Sequence, residues 1–288
     1  MSKKSTNFVP YFTLNSIYMK KLVLYAVAVL AFASCQPTGD RPVQTKEFAY
    51  EEYYALQEGL TDSLHISIAL DFPVALQNAT VLPTIEQTLK REIFGDAYQD
   101  MPLEQAMQAY TAMLKTEYRQ NNLPVLADLE DENRNLEPEM AFSEEQIITS
   151  MVMDVHNNIL SYAVERYVYM GGVHGSNYRI FYNFDLNTGE LIHEQDLFRE
   201  GYAEPLTELL LNNMVEQNEE LSLIEDLQEY GYNVDEIHPN DNFFLTDSCL
   251  VYVFNPYDIA PYALGETEIA IRYSQLKDLL GETYSLAE

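Results

Sequence analysis

The sequence predicts an α+β fold, a mostly antiparallel sheet with helices packed on it. Three observations lead there. Residues 64–70, LHISIAL, alternate apolar and polar positions, the period of a half-buried strand. Residues 146–185 hold several strand-type runs separated by short turn signals, the pattern of a meander. Between them, apolar residues recur at helical spacing. Helices inserted between meander strands argue against a doubly wound parallel sheet.

In chain order, the first residues read as a targeting segment. Met19-Lys20-Lys21 precedes the apolar run LVLYAVAVLAFAS and then Cys35. A basic start, a short apolar core and small residues before a cysteine are the marks of a secretory signal. The run is shorter than the ~20 residues a membrane span needs. Ala33-Ser34-Cys35 resembles a lipoprotein cleavage site, with Phe32 in place of the commoner aliphatic residue. The expectation is a signal peptide over 1–34 with its start at Met19, and lipidation of Cys35. The lipid on Cys35 would anchor the protein to a membrane without spanning it. Gln36 after the cysteine points to the outer membrane, facing either the periplasm or the outside. Residues 35–55, polar and Pro-bearing at the start, read as a lipidated tether. A first subdomain is expected over 56–140 and a second over 141–288.

The strand at Leu64–Leu70 is expected to end at DFPVAL, because Pro73 cannot donate to a ladder. Pro83 suits a helix start, with Ile85, Leu89 and Ile93 on one face and Gly95 closing it. A second helix is predicted from Leu103 to about Gln120 through Met107, Tyr110 and Leu114. The acidic stretch NNLPVLADLEDENRNLEPEM reads as irregular. Two strands follow around the turn pair Asn157-Asn158, then a strand reaching a tight turn at Asn187-Thr188-Gly189. YAEPLTELLLNNMVEQ reads as a helix. NFFLTDSCLVYVF reads as strand, turn at Thr246–Ser248, strand. ETEIAIRYSQLKDLL reads as a strand leading into a short helix, with Ser274 as its N-cap.

The chain of 288 residues carries 16 Lys and Arg against 46 Asp and Glu, a net charge of −30. Loss of residues 1–34 would remove Lys3, Lys4, Lys20 and Lys21 and no acid, leaving a balance of −34. Such a field repels nucleic acid and attracts cations or basic proteins. With Cys35 lipidated, Cys249 stands alone, so neither a disulfide framework nor a cysteine zinc site is expected.

GGVHG, residues 171–175, is the most distinctive motif. His174 is the candidate catalytic residue, with Asp185 as a partner because both flank one strand. No second histidine falls at a metal-binding spacing, and a zinc site needs three or four converging ligands. No metal or other cofactor is expected. The motif also lacks the Lys-Ser/Thr ending of a phosphate loop. The preferred reading of Gly171, Gly172 and His174 is a tight connection, in which the glycines take positive φ and the imidazole bonds nearby backbone. The chain has 22 tyrosines and no tryptophan. Tyr167 and Tyr169 alternate along one strand, and Tyr178 and Tyr182 along the next. They either fill a sheet–helix core or form an exposed face that stacks on a ligand.

These residues resemble a known family. Tyr169, Gly171-Gly172-Val173-His174, Asn183-Phe184-Asp185, Thr188-Gly189-Glu190 and Asp196-Leu197-Phe198 follow the pattern of the RsiV extracytoplasmic domain, DUF3298. Tyr257, Ile259-Ala260-Pro261-Tyr262 and Gly265 are similar to that family's ending. The upstream half looks like the domain that usually precedes it, DUF4163, also found in PdaC-type peptidoglycan deacetylases. RsiV senses lysozyme. The resemblance therefore implies a non-catalytic envelope binding protein for a basic protein such as lysozyme, or for peptidoglycan fragments. Its binding residues would be Tyr169, Gly171, Gly172, His174, Tyr178 and Tyr182. The alternative is an envelope hydrolase or metal-dependent enzyme centred on His174.

Overall fold

The computed structural model describes residues 42–60, 62–131, 142–284 and 286. The signal, the lipidation site at Cys35 and the first part of the tether lie outside these residues.

Among the described residues, eight strands form two sheets. The larger takes β1 (Val43–Ala55), β2 (Ser63–Leu76), β3 (Glu144–His156), β4 (Ile159–Tyr169) and β5 (Ser176–Asp185), in that spatial order. All neighbours are antiparallel except β2 and β3. The smaller takes β6 (Phe243–Leu245), β7 (Cys249–Phe254) and β8 (Thr267–Arg272), all antiparallel. Helices α1 (Leu82–Phe94) and α2 (Leu103–Asp131) cover one face of the large sheet. The remaining helices, α3 (Glu194–Leu197), α4 (Ala203–Gln217), α5 (Ile224–Tyr230) and α6 (Tyr273–Leu276), belong to the small sheet's half. The expected α+β, mostly antiparallel architecture holds.

Alternation in β2 sets the main core. Leu64, Ile66, Ile68 and Leu70 are fully buried against Ile85, Leu89 and Ile93 of α1 and Met107, Leu114 and Tyr118 of α2. Each such side chain contributes about 1.5–3 kcal/mol on burial. A second core joins Leu206, Leu210 and Met214 of α4 to Leu250, Tyr252, Phe254, Ile269 and Ile271. The two sheets meet through Ala163 and Phe181 on one side and Phe244, Val251 and Val253 on the other. The order of layers is helix, sheet, sheet, helix.

Polar side chains pin the sheets and close their edges. Buried Ser161 donates to Asn183 Oδ1 at 2.6 Å and accepts from the Leu245 amide at 3.0 Å, while Asn183 donates to the Phe243 carbonyl at 2.8 Å. These bonds occupy the free edge of β6. On β5, Asn242 accepts from the Phe181 amide at 3.0 Å and donates to the Arg179 carbonyl at 3.0 Å. Asn255 accepts from the Arg179 amide at 2.6 Å. On β8, Gln217 takes both backbone groups of Ala270. Each amide side chain thus stands where another strand would pair.

Four expectations change. Residues 43–55, placed in the tether, form β1 instead: Thr45, Glu47 and Glu51 face outward while Phe48, Tyr50 and Tyr54 pack against the helical side. Pro73 does not end β2. It lies past Leu70, the last residue paired with β3, and beside a β-bulge at Gln44/Thr45, where a missing donor is tolerated. Helix α2 runs eleven residues past Gln120, through Pro124. Proline removes one helical bond, but burial of Leu126 and partial burial of Leu123 and Leu129 hold the last turns down. In α6 the cap is Arg272, whose amide donates to Gln275 Oε1 at 3.1 Å, and Ser274 lies inside the first turn.

The turns follow their residues. Asn157 and Asn158 both take positive φ, 49° and 59°, as a two-residue hairpin of this kind requires. The Asn187–Gly189 turn docks on the start of α1, where Asn78 donates to the Leu186 and Asn187 carbonyls at 3.3 and 3.2 Å. The boundary expected at 140/141 falls between β2 and β3, which are ladder neighbours in one sheet.

Candidate functional site

The β4–β5 connection, residues 170–175, is a hairpin that closes at Val168↔Ser176. Gly171 and Gly172 have φ of 80° and 101°, so the expected positive-φ turn is present. Tyr169 is buried and donates to the Gly172 carbonyl at 3.1 Å, which fixes the loop from below. His174 Nδ1 lies 2.9 Å from the Gly175 carbonyl. A carbonyl only accepts, so in the neutral ring Nδ1 carries the hydrogen and Nε2 is the open acceptor. Gly175 is needed for a different reason: a Cβ there would stand 2.5 Å from the Tyr167 ring.

Two motif blocks far apart in the chain converge here. The His174 ring stacks on Tyr262 with centroids 4.3 Å apart and planes 16° from parallel. Tyr262 in turn packs on Tyr257 at 5.5 Å. Tyr257 takes a positive φ of 76° and is 62% exposed. A bulky residue in that conformation is held by its surroundings: Asp258 accepts from the Asn255 amide at 2.7 Å, and the Tyr257 amide donates to the Ala260 carbonyl at 3.2 Å.

The aromatic surface continues across the sheet on the side away from α1 and α2. Ladder register sets Tyr53, His65, Glu145 and Tyr169 side by side on four adjacent strands. Tyr53 stacks on His65 with centroids 4.2 Å apart and planes 5° from parallel. Each nitrogen of His65 faces a carboxylate, Nε2 to Glu51 at 3.4 Å and Nδ1 to Glu145 at 3.7 Å. Tyr167 bridges to the loop cluster. Partial burial raises the pKa of Tyr53 and of Tyr167 above the usual tyrosine value, and Glu145 adds to both effects. The result is an open strip, Tyr53–His65–Tyr167–Tyr262–His174, with carboxylates set between rings. At about 4.8 Å per strand it spans roughly 15–20 Å.

Other expected site residues lie elsewhere. Asp185 ends β5 and His174 precedes its start, so the two are at opposite ends of a strand roughly 30 Å long. Asp185 instead accepts from the Asn187 amide at 2.8 Å and shapes the following turn. The pairing of His174 with Asp185 is therefore not formed. Tyr178 and Tyr182 pair with Arg166 and Tyr162 and turn toward the helices. Burial, followed by the nearby Glu92, pushes Tyr182 well above its ordinary value. Tyr182 packs against the sheet–helix core and Tyr178 lies on the same face, opposite Tyr167 and Tyr169. Among the described residues no group of three His, Cys, Asp or Glu is placed to hold a metal ion.

A second feature escaped the sequence. His193 Nδ1 lies 2.5 Å from Asp241 Oδ2, and Glu194 and Asp241 exchange bonds, each backbone amide donating to the other's carboxylate at 2.9 and 2.7 Å. Asp241 borders a cleft of about 530 Å³ lined with Ile180, His238, Phe254, Asp258 and Ile259. Ile180 and Phe254 come from β5 and β7, and His238, Asp241, Asp258 and Ile259 from the loops beside them. The one sequence signal was Asp196, three residues after His193, whose carboxylate accepts the His193 amide and starts α3.

The family described as "Protein of unknown function (DUF3298)" matches residues 195–274. The chain carries a DUF3298 domain. A solved structure of a DUF3298 family member from Bacteroides fragilis superposes with a TM-score of 0.77 and 27% identity, over 84% of this chain and 94% of that one. A DUF3298 family protein from Pseudomonas aeruginosa PAO1 shares the fold at a TM-score of 0.59 and 18% identity, over 85% and 97% of the two chains. Peptidoglycan-N-acetylmuramic acid deacetylase PdaC of Bacillus subtilis is 28% identical over 120 residues, 41% of this chain. The chain covers 25% of that relative's length. The matched DUF3298 segment supplies Tyr262 and Tyr257; His174 is contributed by the strands before it.

Proposed function

We propose that this is a lipid-anchored, outer-membrane envelope protein that binds rather than catalyses, and that its target is a basic protein such as lysozyme. The open strip of rings and carboxylates running from Tyr53 to His174 carries this reading. Aromatic faces receive cations and the stems of Lys and Arg, and Glu51 and Glu145 supply the opposite charge beside them. The net charge of −30 would steer a basic partner over longer range. The same rings suit the apolar faces of sugars, so peptidoglycan fragments are the second ligand class. The name of the PdaC relative supports a cell-wall setting.

Titration calorimetry with lysozyme at low and moderate salt, and separately with soluble peptidoglycan fragments, tests the proposal. Binding of lysozyme that weakens with salt and is lost in Tyr262→Ala supports it. No heat with lysozyme at either salt removes the protein target, and no heat with either ligand removes the proposal.

A further inference from the structure

Four strands form the free edges of the two sheets: β1 and β5 in the large one, β6 and β8 in the small one. Three are closed by side-chain amides or hydroxyls, as described for Asn242 and Asn255 on β5, Ser161 and Asn183 on β6, and Gln217 on β8. Among the described residues nothing occupies the outer edge of β1. That strand is 13 residues long, about 44 Å at 3.4 Å per residue, where natural proteins keep open edges short. Its interior contains no proline.

We infer that the β1 edge is a docking site for an extended protein segment bearing Lys or Arg at two positions four residues apart, which adds a sixth strand to the large sheet. Backbone groups of β1 would supply the ladder. The side chains supply the selectivity. On the open face β1 presents, in alternation, Thr45, Glu47, Ala49, Glu51 and Tyr53. Glu47 has no ion-pair partner among the described residues. Glu52 lies on the other face and is held by Lys115 at 2.8 Å. An incoming strand centred on Ala49 meets Glu47 and Glu51 at its third and seventh residues, whichever way it runs. Opposite charges at those positions stabilise the pairing, and like charges oppose it. A second copy of this chain is disfavoured on the same grounds, because antiparallel self-pairing about Ala49 sets Glu47 against Glu51. The inference goes beyond the proposed function: it uses β1 backbone and Glu47, needs none of the rings, and shares with the strip Glu51, which faces His65 at 3.4 Å.

The test is a labelled nine-residue peptide of Val and Thr with Ala at position 5 and Lys at positions 3 and 7, measured by fluorescence anisotropy. Two further peptides carry N-methyl groups on alternate residues, in one register and then the other. Expected are saturable binding of the Lys peptide, at least tenfold weaker binding with Glu at positions 3 and 7, and loss of binding in only one N-methyl register. The double variant Glu47→Lys, Glu51→Lys should bind the Glu peptide instead. In the wild-type protein, alternate β1 amides should gain protection from hydrogen exchange when the Lys peptide is added. Equal binding of both N-methylated peptides would overturn the inference, since charge alone would then explain the contact. So would the absence of Lys-peptide binding up to millimolar concentration. His174→Ala should leave peptide binding unchanged, which separates this site from the aromatic strip.

Discussion

His174 and Tyr262 stand 88 residues apart in the chain and stack ring on ring, their centroids 4.3 Å apart. The contact ties the β4–β5 hairpin to the segment before β8. It is exposed on the His174 side, so it governs the shape of a surface more than the stability of a core. A stacked pair of this kind contributes about 0.5–1.5 kcal/mol. His174→Ala should therefore lower the melting temperature by only about 2–4 °C, while weakening target binding roughly tenfold. His174→Phe keeps a flat ring and should recover most of the binding. Parallel melting and calorimetric titrations of the two variants check this. Equal losses for Ala and Phe would assign the role to the imidazole nitrogens instead.

Gly175→Ala makes a sharper structural prediction. The added Cβ would meet the Tyr167 ring at 2.5 Å, and no positive φ is involved at this position. The cost is therefore steric, about 1–3 kcal/mol. The double variant Gly175→Ala, Tyr167→Ala should lose less stability than the two single changes summed. Urea titration of all four proteins measures that coupling.

Asn242 should be among the most sensitive polar positions. Its side chain accepts from the Phe181 amide and donates to the carbonyls of Arg179 and Val253, each at 3.0 Å. Asn242→Ala leaves the partly buried Phe181 amide without its partner, while Asn255 and Asn240 still donate to the Arg179 and Val253 carbonyls, and should cost about 1–3 kcal/mol. Hydrogen exchange at the Phe181 amide should accelerate ahead of the β4–β5 ladder. Uniform acceleration across the sheet would contradict a local cap.

Glu144 gives a pH prediction. Burial holds its carboxyl above the ordinary value of 4.5, opposed by the bond from Asn122. The folded state therefore binds the proton more tightly than the unfolded state. The resulting stability is fully present below about pH 4.5 and is lost as pH rises through the raised value. Glu144→Gln removes this dependence and keeps an acceptor for Asn122, whose amide donates to Glu144 at 2.7 Å. The variant should be the more stable protein at pH 7, with the difference shrinking toward pH 4. Melting curves across that range would refute the assignment if the gap stayed constant.

Local chemistry made much of the fold legible. Alternation in β2, the proline start of α1 and the Asn157-Asn158 turn each depend on residues within a few positions of one another. The misreadings arose where distant partners decide the outcome. Residues 43–55 have the composition of a linker and become a strand only because β2 pairs with them. Pro124 reads as a helix end, yet the core under Leu126 carries the helix past it. The site follows the same division. The His174 loop was readable from its glycines, but its stacking on Tyr262, and the extension to Tyr53 and His65, exist only through sheet register. Tyr178 and Tyr182 show the converse: alternation within one strand cannot tell which face a helix will cover.

The parallel pairing of β2 with β3 bears on how the molecule folds. Leu64 and Glu144, its first paired residues, are 80 positions apart, with both helices of the main core between them. Closing so long a loop costs chain entropy before any contact compensates it, and topologies dominated by such pairings fold slowly. The β1–β2 and β3–β4 hairpins are local and need not wait for that step. Folding should therefore pause at preformed hairpins with an unjoined seam between them, and changes at Ile66↔Gln146 and Ile68↔Ile148 should slow refolding more than changes in either hairpin turn.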